Sequence, residues 1–123
     1  MSEFQTRSIL YLEDELLIAF DVSSFLRDAG FSSVQTAHRL REARAAADET
    51  RFDIALLDIN VDRSQNSLEL GAELKAKGTL VIFASGNGTD CASLQRDGYH
   101  VIDKPFSHGD LEATMVAALR EAA

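Results

Sequence analysis

The chain has 123 residues, 46% of them hydrophobic and 26% charged, enough apolar side chains to bury the core of one domain of ordinary size. Twelve Lys and Arg against twenty Asp and Glu leave a formal charge of -8, which repels nucleic acid and anionic lipid and so disfavours direct binding to DNA or to a membrane. A lone cysteine, Cys91, excludes an intramolecular disulfide and a cysteine-cluster metal site, and with no apolar run near the ~20 residues of a membrane helix and no secretory h-region near the start, a cytoplasmic protein is expected.

The first predicted element is a strand, Ile9-Leu10-Tyr11-Leu12, continuous in its apolar character as in a parallel sheet covered on both faces. Helix one is expected over residues 15–29, from the near-helical recurrence of Leu16, Phe20, Phe25 and Leu26 and from Gly30 at the place of a C-terminal cap. A weaker strand at residues 34–37 precedes an Ala- and Arg-rich helix two at 39–49, which has few large apolar anchors and should lie thinly on the surface. The third strand, Ile54-Ala55-Leu56-Leu57, ends at Asp58, and residues 60–66 read as a loop. Helix three follows at about residues 67–77, with Leu68, Leu70 and Leu74 as core candidates.

The fourth strand, Leu80-Val81-Ile82-Phe83, runs into Ala84-Ser85-Gly86. Residues 87–97 offer a single large apolar anchor, Leu94, so helix four should be short or mobile. A fifth strand is centred on Val101-Ile102, and helix five begins near Ser107, with Leu111, Met115, Ala118 and Leu119 on one face and Ser107 or Asp110 as its cap. With no internal repeat or linker, the whole chain, residues 1–123, reads as a single (βα)5 domain. Such alternation gives a doubly wound parallel sheet with right-handed crossovers.

Sites in open α/β sheets form beyond the carboxyl ends of the strands. Here those ends carry Glu13 and Asp14, Asp58, Ser85 and Lys104. Carboxylates gathered at one edge repel one another unless a cation or a lysine offsets them, and hard oxygen donors suit Mg2+, which retains waters that a phosphoryl oxygen can replace. The arrangement points to phosphate chemistry.

Laid out in this order, the chain resembles the response-regulator receiver family over essentially its full length. The resemblance rests on the acidic pair of Leu-Glu-Asp-Glu, the aspartate of Ala-Leu-Leu-Asp-Ile-Asn, the hydroxyl of Phe-Ala-Ser-Gly, and the Lys and Pro of Asp-Lys-Pro-Phe. The segment Phe-Ala-Ser-Gly-Asn-Gly and the loop after Asp58 look most like the FATGUY subfamily, with Ser85 for its usual Thr and Asn87 for its usual Tyr. The resemblance implies a flavodoxin-like five-stranded sheet in the order 2-1-3-4-5. It also implies that Asp58 accepts a phosphoryl group, that Asp14 and Asp58 hold Mg2+ with the backbone carbonyl of Asn60, and that Glu13 acts on the metal through water. Lys104 would pair with a phosphoryl oxygen, Ser85 would hydrogen-bond the bound phosphate, and Gly86 would leave space for it. No further cofactor is implied.

The implied partners are a histidine kinase or histidine phosphotransfer protein as donor and a downstream protein. With no effector domain expected after helix five, output would pass by protein-protein interaction, most simply on the face of helix four, strand five and helix five, with homodimer formation left open. Such a protein is a switch that catalyses its own phosphorylation and slow dephosphorylation, and is not a conventional enzyme.

Taken singly, each of these residues has a plainer reading: loop acids before a helix, a turn aspartate, a strand-to-helix junction. It is their shared order at strand ends that argues against all being so. His38, His100, His108 and Cys91 show no shared metal-ligand spacing and are assigned structural or surface roles. A pseudo-receiver that binds partners without phosphorylation is the alternative, opposed by the intact acid, Ser and Lys set. A haloacid-dehalogenase-like phosphatase would want a second Asp where Asn60 stands, and a flavodoxin would want a phosphate-cradling loop after strand one. Receivers usually place an aromatic three positions before the lysine, where this chain has Val101; the signal is therefore expected to travel by reordering of residues 86–98. Faster or slower amide exchange in that segment on phosphorylation is the expected outcome, and unchanged exchange would remove the idea.

Overall fold

The three most continuous apolar runs form the middle of a sheet, where neither face meets water. In the computed structural model, which describes residues 3–62, 65–86 and 91–122, these are β1 (Ser8–Leu12), β3 (Ile54–Asp58) and β6 (Leu80–Ser85). β2 (Ser33–Ala37) and β7 (His100–Asp103) flank them, and the order is β2-β1-β3-β6-β7, all parallel. Counting only these sheet strands, that is the expected order 2-1-3-4-5. The edge strands are the more polar ones, as suits their partial exposure.

Pleating sends alternate side chains to opposite faces, and the core accordingly divides in two. Ile9, Tyr11, Ile54, Leu56, Ile82 and Ala84 pack with α1 (Leu16–Asp28) and α5 (His108–Ala122). Leu10, Leu12, Ala55, Leu57, Val81 and Phe83 pack with α2 (Leu40–Glu49) and α3 (Leu68–Ala76). As expected, α2 is thin and buries only Ala43 and Ala47. In α3, Leu70 and Leu74 are buried and Leu68 partly so. The cap of α5 uses both candidates: Asp110 N–H donates to Ser107 Oγ (3.0 Å) and Ser107 N–H to Asp110 Oδ2 (3.1 Å), a reciprocal pair that satisfies two first-turn donors.

Three expectations need correction or limits. Helix one buries the expected Leu26 and packs Phe25 partly against the core, but not Leu16 or Phe20: Ala19, Val22, Ser23 and Leu26 are buried, whereas Leu16, Leu17 and Phe20 are 65%, 87% and 74% exposed. The buried set follows the i, i+3, i+4, i+7 stripe, with Ala19 and Ser23 small enough to let the helix approach the sheet; Leu16, Leu17 and Phe20 fall outside it. Residues 60–66 contain more than a loop, because β4 (Asn60–Asp62) and β5 (Gln65–Asn66) pair antiparallel. Finally, α4 (Cys91–Arg96) is short, as expected, but residues 87–90 of the segment assigned to signalling lie outside the described residues.

Gly71 of α3 sits where a Cβ would lie 2.3 Å from Phe83 Cζ, and Phe83 is itself fully buried. Gly71→Ala therefore overpacks the contact between α3 and β6. We expect a loss of about 1–3 kcal/mol in urea unfolding, relieved when Phe83 is shortened to Leu in the same chain.

Candidate phosphoacceptor site

The three central strands all end at one edge of the sheet, and the side chains beyond their ends meet there. Asp58 closes β3 opposite Ala84 of β6. Glu13 continues β1, its N–H bonded to the carbonyl of Ala37 (3.0 Å). Lys104, just beyond β7, places Nζ 3.2 Å from Glu13 Oε1 and 3.3 Å from Asp58 Oδ2, and it is joined to Pro105 by a cis peptide bond. Glu13, Asp14 and Asp58 each offer a carboxylate oxygen within 4.8 Å of the others. The structure thus brings Glu13, Asp14, Asp58 and Lys104 together, and Asn60 lines the same cavity. Ser85 ends β6 as a buried residue whose Oγ has no hydrogen-bond partner among the described residues.

Positioning groups surround the acids, and of these only His38 and His108 are named from the sequence, for structural or surface roles. Buried Ser67 donates from Oγ to the Asp58 carbonyl (2.7 Å), and its N–H bonds the Ile59 carbonyl (2.9 Å), tying the segment after Asp58 back to the strand end. His38 Nδ1 donates to the Glu13 carbonyl (3.1 Å), a structural role. Asp21 and His108, 2.9 Å apart, link α1 to the start of α5, and the His108 ring stacks on Phe25. None of these pairings has a local sequence signal, since each partner is remote along the chain.

A cavity of about 760 Å3 opens above Asp58, with Asp14, Asn60, Gly86 and Lys104 as polar lining and Leu17, Ile18, Val22, Pro105 and Phe106 as apolar walls. It is wide enough to admit another molecule's side chain to the carboxylate. The electrostatics are those of charges withdrawn from water. Burial raises the Asp58 carboxyl above its ordinary value, against the pull of Lys104, with Asp14 adding to the rise. Burial likewise raises Glu13, opposed by the Glu15 N–H and by Lys104. For Lys104 burial works against the ammonium, but Asp58 and Glu13 outweigh it and its value is raised.

Three carboxylates gathered around one strand end, two of them buried, fit a hard divalent cation: the donors are all oxygen and their repulsion is what a cation relieves. The chain matches the response regulator receiver domain over residues 9–116. It belongs to that family. Among its relatives, the transcriptional regulatory protein PdtaR of Mycobacterium tuberculosis is 28% identical over 109 residues, covering 85% of this chain and 53% of PdtaR, so the chain spans about half the length of the curated relatives it matches. SdrG from Sphingomonas melonis Fr1 superposes with a TM-score of 0.77 at 28% identity, covering 97% of this chain and 99% of that one. NtrX from Brucella abortus gives a TM-score of 0.80 at 28% identity over 95% of this chain and 28% of its own. Receiver domains serve two-component signalling and generally bind Mg2+ at an acidic pocket, and the sheet order and acidic edge described above are those of this receiver.

The raised carboxyls set the sign of a pH effect. A group whose value is higher in the folded chain stabilises it fully below its unfolded value and loses that contribution as pH rises through the folded one. Without divalent metal, Asp58 and Glu13 therefore favour the fold less and less as pH climbs above their ordinary 3.8 and 4.5. Asp58→Asn should raise the melting temperature relative to the parent at about pH 7.5 and much less at about pH 4. Lys104→Met should do the reverse, destabilising near neutral pH toward the lower end of the ~3–5 kcal/mol typical of a broken buried pair. Thermal unfolding of the three chains across pH checks both signs.

Proposed function

We propose that this receiver is phosphorylated on Asp58 by a phosphohistidine, carried by a histidine kinase or a histidine phosphotransfer protein. The observation that carries the reading is the position of Lys104, its ammonium 3.3 Å from Asp58 and 3.2 Å from Glu13 at the floor of an open cavity. An Asp58 oxygen attacks phosphorus, the phosphorus–nitrogen bond breaks, and its electron pair stays on the imidazole, which takes a proton from solvent. The transition state needs mainly positioning and charge stabilisation. Lys104 supplies one positive charge to the phosphoryl oxygens, and Ser85 Oγ, buried and without a partner among the described residues, supplies a hydrogen bond to one of them. Asp14, Asp58 and the Asn60 carbonyl would hold Mg2+, with Glu13 acting through water; the ion adds charge neutralisation at the phosphoryl group.

The same site lets water remove the phosphoryl group slowly. Output passes by contact with a downstream protein, and residues 83–88, Phe-Ala-Ser-Gly-Asn-Gly, support placement in the FATGUY subfamily. The acidic composition and the lack, among the described residues, of a helix long and apolar enough to cross a membrane accord with action in the cytoplasm. The test is intact mass after treatment with acetyl phosphate, with and without Mg2+, for the parent and Asp58→Asn. A gain of one phosphoryl group that requires Mg2+ and vanishes in the variant is expected. No gain, even with a competent kinase, would leave a partner-binding pseudo-receiver in its place.

A further inference from the structure

The two peptide planes that follow Asp58 are each held at both polar ends. In the first, between Asp58 and Ile59, the Ile59 N–H donates to the Ala84 carbonyl (3.1 Å) and the Asp58 carbonyl accepts from Ser67 Oγ (2.7 Å). In the second, between Ile59 and Asn60, the Ile59 carbonyl accepts the Ser67 N–H (2.9 Å) and the Asn60 N–H donates to the Asp58 carboxylate. One residue thus supplies both carbonyl bonds. Ser67 is 0% exposed, and the β4–β5 pairing, in which Asn60 faces Asn66, returns it to the strand end.

Ser67 also stands at the N-cap of α3, where a serine hydroxyl ordinarily accepts an N–H of the first turn. This one makes no such bond among the described residues; Asn66 Oδ1 accepts the Leu68 N–H in its place (3.0 Å). The hydroxyl is turned away from the helix and toward the phosphoacceptor backbone. A trans peptide is planar, with its carbonyl and N–H pointing in opposite directions, so a bond at one end directs the other. The Ser67 N–H on the Ile59 carbonyl therefore aims the Asn60 N–H at the Asp58 carboxylate. The backbone dihedrals of Ile59 join the two planes, and holding both planes sets them, and with them the course of the chain into Asn60.

We propose that Ser67 is a positioning residue of the phosphoacceptor site, its hydroxyl setting, through the backbone of residues 58–60, the places of the Asp58 carboxylate and the Asn60 carbonyl for a divalent cation. The inference rests on the roles given to Asp58 and Asn60 above. Partners that orient metal ligands without touching the metal govern its affinity, and here that partner sits on the backbone of two ligands at once.

The experiment compares the full chain with Ser67→Ala and, as a control, with Thr79→Val. Thr79 is also buried and donates from Oγ1 to a carbonyl, that of Phe52 (2.8 Å), at the opposite, amino end of the sheet. Melting temperature is measured in EDTA, and Mg2+ affinity is read from amide NMR shifts. Both variants should melt below the parent without metal, since each leaves a buried carbonyl short of a donor. Ser67→Ala should in addition bind Mg2+ about 10-fold more weakly, whereas Thr79→Val should keep the parent affinity. Phosphorylation of Ser67→Ala by acetyl phosphate should be slow at low Mg2+ and recover as Mg2+ is raised. If Ser67→Ala does not fold, Ser67→Cys, a weaker donor of similar shape, carries the same expectation. Parent-like Mg2+ affinity in the Ser67 variant with only the melting temperature lowered would overturn the proposal and mark a structural bond. Equal affinity losses in the Ser67 and Thr79 variants would overturn it as well, as general loosening of the fold. A parent that neither binds Mg2+ nor gains a phosphoryl group from acetyl phosphate would instead overturn the phosphoacceptor reading.

Discussion

Two buried carboxylates share a single ammonium at the carboxyl edge of this sheet, and the surrounding structure follows from keeping them there. Charges withdrawn from water are costly unless paired, and Lys104 is the cation that reaches both Glu13 and Asp58. The pairing is incomplete by design of numbers: one positive charge faces two buried negative ones and an exposed third, Asp14. Burial raises both carboxyls against the pull of that one ammonium, and the imbalance of charge makes the edge receptive to a divalent cation.

The sheet order turns this local imbalance into a site. β1 and β3 are adjacent, so Glu13 and Asp58 arrive side by side; β6 and β7 follow, so Ser85 and Lys104 close the far side. Ser67 and His38 then fix the backbone carbonyls of Asp58 and Glu13, leaving the carboxylates as the groups free to respond. α1 contributes differently. Its small residues face the sheet, and Leu17 and Ile18 border the cavity mouth while Leu16 and Phe20 remain in water.

Much of this was readable in the chain. Continuous apolar runs identify β1, β3 and β6 because a strand covered on both faces has no polar side to show; the acids and hydroxyl stand where those runs stop, and the lysine follows the short Val101-Ile102 run of β7. What resisted was geometry that depends on partners far along the chain. Leu16 and Phe20 have helical spacing, yet the stripe that meets the sheet is Ala19, Val22, Ser23 and Leu26, because close approach favours small residues over bulk. The β4–β5 pairing is too short to give a periodic signal. Ser67 reads as the start of helix three, and only its bond back to Asp58 sets it apart.

The distance along the chain between the paired charges has a consequence for how the protein is made. Lys104 lies 91 residues after Glu13. During synthesis the acids leave the ribosome long before their ammonium, and loop closure over such a span is entropically late. Until β7 docks, both carboxylates are better served by water than by the sheet edge, so it is the last strand of the sheet that brings their compensating charge. A nascent chain that stops short of that strand holds every acid of the site and none of its compensation.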